Sequence, residues 1–280
     1  MKKIISITGA NGFVGRHLEE KLRQKGHELV LFNRPQIQIE KEVPDFSGTE
    51  YVVHLAARTF VPDSWKHSTD FFACNVKGTE NVLKGARLAG LPVIFLSSYV
   101  YGWPLYLPID EEHRTQALNP YMHSKILAED LCLSYRDNFG MKICILRPFN
   151  IYGPGQALNF LIPKIYDQAT DPSVNEILLN GLTPKRDYLH VWDLVEAIAK
   201  VIEQPCNTTL NIASGRSHTV IEVAEMILKI VHVQKPIRTS GDSRLNEIED
   251  TKASIQKAWE FLKWQPQYTI ETGLATLKIL

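Results

Sequence analysis

Residues 3–15 read KIISITGANGFVG, a short β-branched run that ends in a turn with three glycines spaced three apart. The run from Lys3 to Ile7 predicts a buried parallel strand, and the apolar residues from Gly12 to Lys25 recur at helical spacing. A glycine turn between a strand and a helix brings free backbone N–H groups to the positive end of the helix dipole. Because that arrangement suits a pyrophosphate, the segment predicts a dinucleotide site.

The alternation of strand and helix continues through the first half of the chain. Short apolar runs and helical patterns follow one another at 28–32, 51–55, 70–89, 93–96, 121–139 and 142–146. This order predicts an α/β fold with a parallel, right-handed crossover sheet covered on both faces. After Arg147 several prolines interrupt the regular alternation of strands and helices, which indicates a second, smaller domain. We expect a dinucleotide-binding domain over 1–148, with 189–213 returning to it, and a mainly substrate-binding domain over 149–280.

The composition is typical of a soluble globular protein. In 280 residues, 31 basic side chains balance 31 acidic ones, and 44% of residues are hydrophobic. The charge balance gives no basic surface for nucleic acid, and no run reaches the ~18 apolar residues of a membrane span. We therefore expect neither a nucleic-acid nor a membrane partner, and a cytoplasmic location. The four cysteines form no CxxC pair, which predicts neither a metal site nor a disulfide framework.

The residues after the second strand bear on the choice of nicotinamide cofactor. An acidic residue there binds the ribose 2′-hydroxyl of NAD, whereas an arginine accommodates the 2′-phosphate of NADP. The strand ends in Asn33 and Arg34, with no carboxylate directly after it. We expect Asn33 to bind a ribose and Arg34 to pair with a phosphate, which favours NADP(H) and leaves NAD(H) open. The short stretch from Arg34 to Tyr51 leaves little room for a crossover helix.

A candidate acid/base pair begins the helix over 121–139. Tyr121 and Lys125 stand four apart, so both side chains project from one helix face. A nearby ammonium stabilises phenolate, so the pattern predicts that Lys125 lowers the pKa of Tyr121 and suits it to proton transfer. The serines of Ser97-Ser98 end the preceding strand, at the sheet edge where ligands bind.

Eight motifs then carry a family resemblance. In chain order they are TGANGFVG, VVHLAA, NVKGTENVL, LSSYVYG, YMHSK, LRPFNIYGPGQ, RDYLHVWDL and NIASG. Their order resembles the extended short-chain dehydrogenase/reductase family, whose members are nucleotide-sugar epimerases, dehydratases and ketoreductases, over nearly the whole chain. The resemblance implies a Rossmann-type doubly wound sheet with a smaller C-terminal substrate domain, and a nucleotide sugar as substrate.

Carried over residue by residue, the resemblance implies roles for individual positions. Ser97, three residues before Val100, matches the catalytic serine. Tyr121 matches the acid/base, and Lys125 matches the lysine that binds ribose and lowers the tyrosine pKa. With the glycine turn and the second strand, the expected cofactor contacts are Gly9, Asn11, Gly12, Phe13, Val14, Gly15, Asn33, Arg34, Leu55, Ala56, Ala57, Asn75, Tyr121 and Lys125. The expected substrate contacts are Ser98, Asn150, Arg186, Asn211 and Arg238.

The two residues after the matched serine narrow the choice among the reactions of the family. Family dehydratases have Asp and Glu there, decarboxylases have Glu, and the fucose-synthase type has Cys at the second position, whereas this chain has Ser98 and Tyr99. Reduction of a 4-keto sugar and 4-epimerisation remain. Since no carboxylate directly follows the second strand, we expect reduction of an NDP-4-keto-6-deoxy-sugar. The alternatives are an NDP-sugar 4-epimerase with retained NAD and a dinucleotide-binding protein without activity.

The helices over 70–89 and 121–139 carry apolar residues on more than one side. A helix of that kind needs a second apolar partner. By the same resemblance, two such helices from each subunit form a four-helix interface. The sequence therefore predicts a homodimer.

Overall fold

The structure, a computed structural model, describes residues 2–241 and 246–279. Its strands are β1 (Ile4–Thr8), β2 (Glu28–Phe32), β3 (Tyr51–His54), β4 (Val93–Leu96), β5 (Ile143–Pro148), β6 (Asn150–Tyr152), β7 (Ile177–Leu179), β8 (Lys185–His190), β9 (Thr209–Ile212), β10 (Ser217–Thr219) and β11 (Ile237–Thr239). Its helices are α1 (Phe13–Gln24), α2 (Val61–Lys66), α3 (Ser68–Phe72), α4 (Gly78–Leu88), α5 (Pro120–Phe139), α6 (Leu161–Thr170), α7 (Val191–Glu203), α8 (Val220–Val231), α9 (Gln256–Leu262) and α10 (Ile270–Ala275). A π-helical turn, Ala73–Lys77, joins α3 to α4.

Six strands form a parallel sheet in the order β2-β1-β3-β4-β5-β9. Every residue of β3 and β5 is buried, because helices cover both faces of the sheet. Side chains alternate between the faces: Cys144 packs with the core beneath α1 and α7, whereas Ile143 and Ile145 pack with the core beneath α4 and α5. The prediction of an α/β fold with a doubly wound parallel sheet is confirmed.

The order of the strands reverses between β1 and β3. The chain runs from β1 outward to β2, returns across β1, and then continues through β3, β4 and β5 in the opposite direction. Residues 33–50, which connect β2 to β3, form turns without a helix. The crossover is therefore short, as the spacing in the sequence predicts, and it leaves the edge near β2 lightly covered.

The C-terminal half adds two small sheets, ordered β10-β8-β6 and β11-β7. A separate apolar core joins them to α6, α8 and α10, with Ile165, Val223 and Leu274 at its centre. The strand β9 and the helix α7 instead belong to the layers of the main sheet, since β9 pairs with β5 and α7 packs on α1. In residues 2–241 and 246–279, no helix is both long and apolar enough to cross a bilayer.

Candidate active site

The glycine turn after β1 leaves two of its glycines no room for a side chain. Gly9 has a φ of +74°, and a Cβ there would lie 2.7 Å from the Cα of Ala56. A Cβ on Gly15 would lie 2.5 Å from backbone oxygens of the turn. α1 begins at Phe13 after Gly12, and no side chain of the described residues caps that end. The first N–H groups of α1 are therefore available to an anion.

This turn forms one wall of a cleft of about 400 Å³ at the carboxyl ends of β1 and β3. Ligands of open parallel sheets bind at such a reversal of strand order. The cleft is lined by Gly9, Asn11, Gly12, Phe32, Asn33, Arg34, Ile37, Ile39, Leu55, Ala56, Ala57, Arg58 and Cys74. Thus the structure brings together the expected cofactor residues from the glycine turn, the end of β2 and the end of β3. Phe13, Val14 and Gly15 belong to the first turn of the adjoining α1.

The end of β2 carries a contact that the sequence pattern does not indicate. The side-chain oxygen of Asn33 accepts a hydrogen bond of 3.0 Å from the backbone N–H of Asn11, which holds the glycine turn. The guanidinium of Arg34, about half exposed, forms an ion pair with Glu40 in the turn-rich connection. The other oxygen of Glu40, Oε2, is buried without a hydrogen-bond partner among the described residues. A carboxylate six residues after Arg34 therefore lies next to this end of the cleft, paired with the guanidinium that lines it.

Asn75 lies behind the cleft rather than in its lining. Its amide oxygen accepts the N–H of Arg58 at 2.8 Å, and its amide nitrogen donates to the carbonyl of Arg58 and to the hydroxyl of Ser124. The side chain thus ties the loop after β3 to α5. Asn75 supports the cleft wall, and the structure gives it no direct exposure to a cofactor.

A buried polar chain supports the same wall. The hydroxyl of Thr8, at the end of β1, lies 2.7 Å from Nδ1 of His54 at the end of β3. Nε2 of His54 lies 3.0 Å from the hydroxyl of Thr79 on α4. Burial lowers the pKa of His54 to about 3, so the ring is neutral near pH 7 and both its nitrogens take part in hydrogen bonds.

The start of α5 positions the candidate acid/base residues. The side chain of Asn119 caps the helix by accepting the N–H of Met122 at 2.8 Å. Tyr121 and Lys125 then follow on one face of the first two turns. The ammonium of Lys125 donates a 2.7 Å hydrogen bond to the carbonyl of Leu96, the last residue of β4. This contact fixes the lysine at the carboxyl edge of the sheet.

The two serines after β4 point in different directions. The hydroxyl of Ser97 is buried and donates to Glu129 on α5. The hydroxyl of Ser98 instead lies close enough to the phenol of Tyr121 to lower the pKa of that phenol. The contacts of the described residues thus place Ser98 near Tyr121 and pair Ser97 with Glu129, and a catalytic role for Ser97 stays a prediction.

The expected electrostatic effect of Lys125 on Tyr121 is corrected. Burial raises the pKa of Tyr121, and the nearby hydroxyl of Ser98 only partly offsets that rise; the charge of Lys125 is not among the causes. Burial lowers the pKa of Lys125 to about 8, against the nearby carboxylate of Glu129. In the absence of a bound ligand, the phenol is protonated and the ammonium is largely charged near pH 7.

A buried ion pair lies behind the serines. Arg147 at the end of β5 donates to both carboxylate oxygens of Glu129, with the shortest contact at 2.6 Å, and to the hydroxyl of Tyr101 at 3.0 Å. Tyr101 in turn donates to the side-chain oxygen of Asn211. Asn211 is fully buried in this network, and its amide nitrogen donates to the carbonyl of Ile109. The expectation that Asn211 contacts substrate is therefore wrong, because its polar atoms are used inside the fold.

The remaining expected substrate residues lie in three different settings. Arg186 forms an ion pair with Glu247 and acts on Tyr99, next to Ser98, through its charge. Asn150 donates to the carbonyl of Asp187 at 3.2 Å. Arg238 lies on the β11 edge, about two-thirds exposed, in a 3.0 Å ion pair with Glu176. Among these side chains, Arg186 thus acts on the residue that directly follows Ser98.

Sequence reasoning missed three charged residues of this region. Glu129 follows Lys125 by four residues, and that helical spacing is a signal that could have found it. Arg147 was read only as part of a motif, and Glu40 stands in a stretch without periodicity. Glu129 and Arg147 form an ion pair between α5 and β5, and Glu40 pairs with Arg34 within the connection after β2. In residues 2–241 and 246–279, no group of three or more side chains could hold a metal ion.

The chain is similar to a known protein family and to individual named proteins. The model of the NAD dependent epimerase/dehydratase family matches residues 5–213. GDP-6-deoxy-D-mannose reductase of Pseudomonas aeruginosa is 28% identical over 99% of this chain and 96% of that protein. GDP-6-deoxy-D-talose 4-dehydrogenase of Aggregatibacter actinomycetemcomitans is 32% identical over 84% of this chain and 82% of that protein.

Solved structures resemble the whole fold. The structure of RMD from Pseudomonas aeruginosa complexed with NADPH has a TM-score of 0.89 and 27% identity, and covers 99% of this chain and 97% of its own. UDP-glucose 4-epimerase from Thermotoga maritima with UDP-glucose has a TM-score of 0.90 and 25% identity, and covers 98% of this chain and 97% of its own. The similar proteins thus include both reductases and epimerases.

Proposed function

Because the chain belongs to the NAD-dependent epimerase/dehydratase family, we propose that it is a nucleotide-sugar oxidoreductase that acts at C4 of the sugar. Its preferred reaction is reduction of an NDP-4-keto-6-deoxy-sugar. The position of Tyr121 near Ser98, on the same helix face as Lys125, whose ammonium is held at the carboxyl edge of the sheet, carries the proposal. That pair offers two hydroxyl donors to one substrate oxygen.

The cleft fits a nicotinamide dinucleotide. A Cβ at Gly9 or Gly15 would fill the space beside the turn, and the uncapped start of α1 suits a pyrophosphate. The bound cofactor supplies the hydride. Leu55, Ala56 and Ala57 form an apolar wall of the cleft, which excludes water from the dinucleotide.

The protein side chains supply the proton and hold the oxygen. Tyr121 gives its phenolic proton to the oxygen at C4, and Ser98 donates a hydrogen bond to the same atom. These donors gain strength as negative charge forms on that oxygen, so they stabilise the transition state more than the ground state. The raised pKa of Tyr121 keeps it protonated before the reaction, which suits a proton donor. Lys125, positively charged on the same helix face, provides a donor for the cofactor ribose.

NADP(H) is the preferred cofactor and a GDP-sugar the preferred substrate. Arg34 lines the cleft with a half-exposed guanidinium, which suits a 2′-phosphate. A similar structure is complexed with NADPH, and two relatives are named for GDP-6-deoxy sugars. The alternative, a 4-epimerase with retained NAD, is favoured by one observation: the unpartnered buried oxygen of Glu40 next to Arg34 is an acceptor of the kind that binds a ribose hydroxyl.

A homodimer through α4 and α5 is part of the proposal. Leu88 and Phe139 end these helices and are 71% and 54% exposed. Arg87 stacks on the ring of Phe139 at 4.8 Å, so the two helix ends are adjacent. Two large apolar side chains exposed at one place suit a second copy of the same face.

One assay tests the proposed reaction. Purified protein is given NADPH with the 4-keto form of GDP-6-deoxy-mannose, and separately UDP-glucose without added cofactor. We expect loss of NADPH absorbance with the keto sugar, no conversion of UDP-glucose, and no NAD released on denaturation. The Tyr121→Phe variant should lose turnover by about 10²–10⁴-fold while still binding NADPH, and Tyr135→Phe on the same helix serves as control. Conversion of UDP-glucose by protein that retains NAD would instead establish the epimerase.

A further inference from the structure

Two cysteines that are distant in the sequence meet at the amino edge of the main sheet. Cys144 is the second residue of β5 and is fully buried, whereas Cys206 lies in the loop between α7 and β9 and is half-buried. Their sulfur atoms are 3.0 Å apart. A disulfide bond requires a separation of about 2.05 Å, so a shift of roughly 1 Å joins them.

The backbone around the pair holds the loop against the strand. The side-chain oxygen of Asn207 accepts the N–H of Ile143 at 3.0 Å, on one side of Cys144. The N–H of Ile145, on the other side, donates to the carbonyl of Thr208 at 3.0 Å. Because both neighbours of Cys144 are tied to the residues that follow Cys206, the backbone holds the two thiols together.

The two thiols differ in chemical character. The hydrogen bond with Cys144 lowers the pKa of Cys206, and the charge of Lys257 acts in the same direction. Burial and the same hydrogen bond raise the pKa of Cys144. Cys206, the more exposed of the two, is therefore the thiol that reacts first as a thiolate.

We propose that Cys144 and Cys206 are a thiol-oxidation site that forms a reversible intramolecular disulfide, with hydrogen peroxide as the oxidant. The Cys206 thiolate attacks one peroxide oxygen and the O–O bond breaks, which leaves a sulfenic acid and hydroxide. The sulfur of Cys144 then attacks Cys206, the S–O bond breaks, and water leaves. The proton of the Cys144 thiol leaves with the sulfenic hydroxyl in this water, and the proton that Cys206 lost when it became a thiolate neutralises the hydroxide of the first step. Two thiols lose two electrons, and one peroxide becomes two waters.

The position of the pair predicts the consequence of oxidation. The bond lies at the amino end of β5, whereas the cleft and the Ser98–Tyr121 pair lie at the carboxyl ends of the strands. It closes a loop of 62 residues, which restricts the unfolded chain. We therefore expect oxidation to raise the thermal unfolding midpoint by several degrees and to leave NADPH binding within about twofold. The inference does not depend on the proposed reaction.

The test is thiol mapping of the full-length protein. The chain is treated with one equivalent of hydrogen peroxide, denatured, alkylated and analysed by mass spectrometry before and after reduction. We expect a mass loss of two hydrogen atoms, a Cys144–Cys206 cross-linked peptide, two alkylated cysteines instead of four, a higher unfolding midpoint, and reversal by dithiothreitol.

Variants separate this site from general oxidation. Cys206→Ser and Cys144→Ala should each abolish the cross-link and the rise in midpoint, whereas Cys132→Ala, a buried cysteine on α5, should keep both. Since Cys206 is only half-buried, its serine variant is expected to fold even if the Cys144 variant does not. Four alkylatable thiols after peroxide treatment, or a sulfinic acid on Cys206 with Cys144 still a free thiol, would overturn the proposal.

Discussion

At the scale of single residues, the direction of each hydroxyl determines what it can contribute. Ser98 lies near enough to Tyr121 to lower the pKa of its phenol, whereas Ser97, its neighbour, donates to the buried Glu129. The same side-chain chemistry thus stands in two environments one residue apart. One serine faces the site and the other stabilises the ion pair behind it.

A pair of alanine variants separates these two roles. We expect Ser98→Ala to lower kcat by roughly tenfold or more, since a transition-state donor is lost, with little change in stability. Ser97→Ala should retain most of kcat and lower the free energy of unfolding by about 1–3 kcal/mol, because Glu129 loses a buried donor. Steady-state kinetics and urea unfolding of both variants provide the measurements. If Ser97→Ala proves the more damaging to kcat at unchanged stability, the pairing inferred from the structure is wrong.

The pairing of Arg34 and Glu40 gives a second prediction at this scale. Arg34→Ala should weaken the binding of NADPH by roughly tenfold and leave the affinity for NADH unchanged, because only NADPH carries the 2′-phosphate. Glu40→Gln should strengthen NADPH binding by several-fold, since the guanidinium is no longer shared with a carboxylate. Fluorescence titration with both cofactors measures these affinities. Equal effects of Arg34→Ala on NADPH and NADH would remove Arg34 from phosphate recognition.

At the scale of elements, α5 and β5 together form the floor of the site. Tyr121, Lys125 and Glu129 repeat at intervals of four along α5, and Arg147 at the end of β5 pairs with the last of them. The ion pair is almost fully buried, so removal of either partner would leave an unpaired buried charge. Glu129 links the helix that carries the acid/base residues to the strand that ends beside the serines.

His54, whose hydrogen bonds join β1, β3 and α4, makes the stability of the fold depend on pH. His54 has a folded pKa of about 3 against 6.5 in the unfolded chain, so the unfolded state binds the extra proton between these values. Its contribution is complete above pH 6.5 and is lost progressively as the pH falls from 6.5 to 3, about 5 kcal/mol in total. We expect urea unfolding of the wild type to show this loss.

The His54→Gln variant isolates that contribution. It should be less stable at pH 7, because one of two buried hydrogen bonds is lost, but its stability should change less steeply between pH 6.5 and pH 3. Burial lowers the pKa of His190 to about 4, and this residue is present in both proteins. Its contribution to the pH dependence of stability is therefore the same in wild type and variant. Equal slopes in wild type and variant would mean that His54 does not titrate on unfolding.

At the scale of the whole molecule, the apolar ends of α4 and α5 predict self-association. Leu88 and Phe139 are exposed at adjacent helix ends, and two copies of this face would bury them. Light scattering at micromolar concentration should give twice the mass of the 31.8 kDa chain. The double variant Leu88→Glu, Phe139→Glu should have the mass of one chain and should still bind the cofactor. A single mass for the wild type at all concentrations would contradict the prediction.

The local patterns of the sequence determined the architecture and the cofactor cleft. The strand runs, the glycine turn and the short crossover after Arg34 depend on residues near one another in the chain, so periodicity and turn chemistry suffice to read them. The positions of Gly9, Tyr121 and Lys125 at one sheet edge follow from the rule for parallel strands.

Only the tertiary structure decided which groups face the cleft. Ser97 meets Glu129, Arg34 meets Glu40, Asn211 meets Tyr101, and Cys144 meets Cys206, each through packing between separate segments. Neighbouring residues of an extended segment differ only in the side to which they point, and composition carries no information about that side. The physical reason is that burial satisfies polar groups across long sequence separations, which no local pattern encodes.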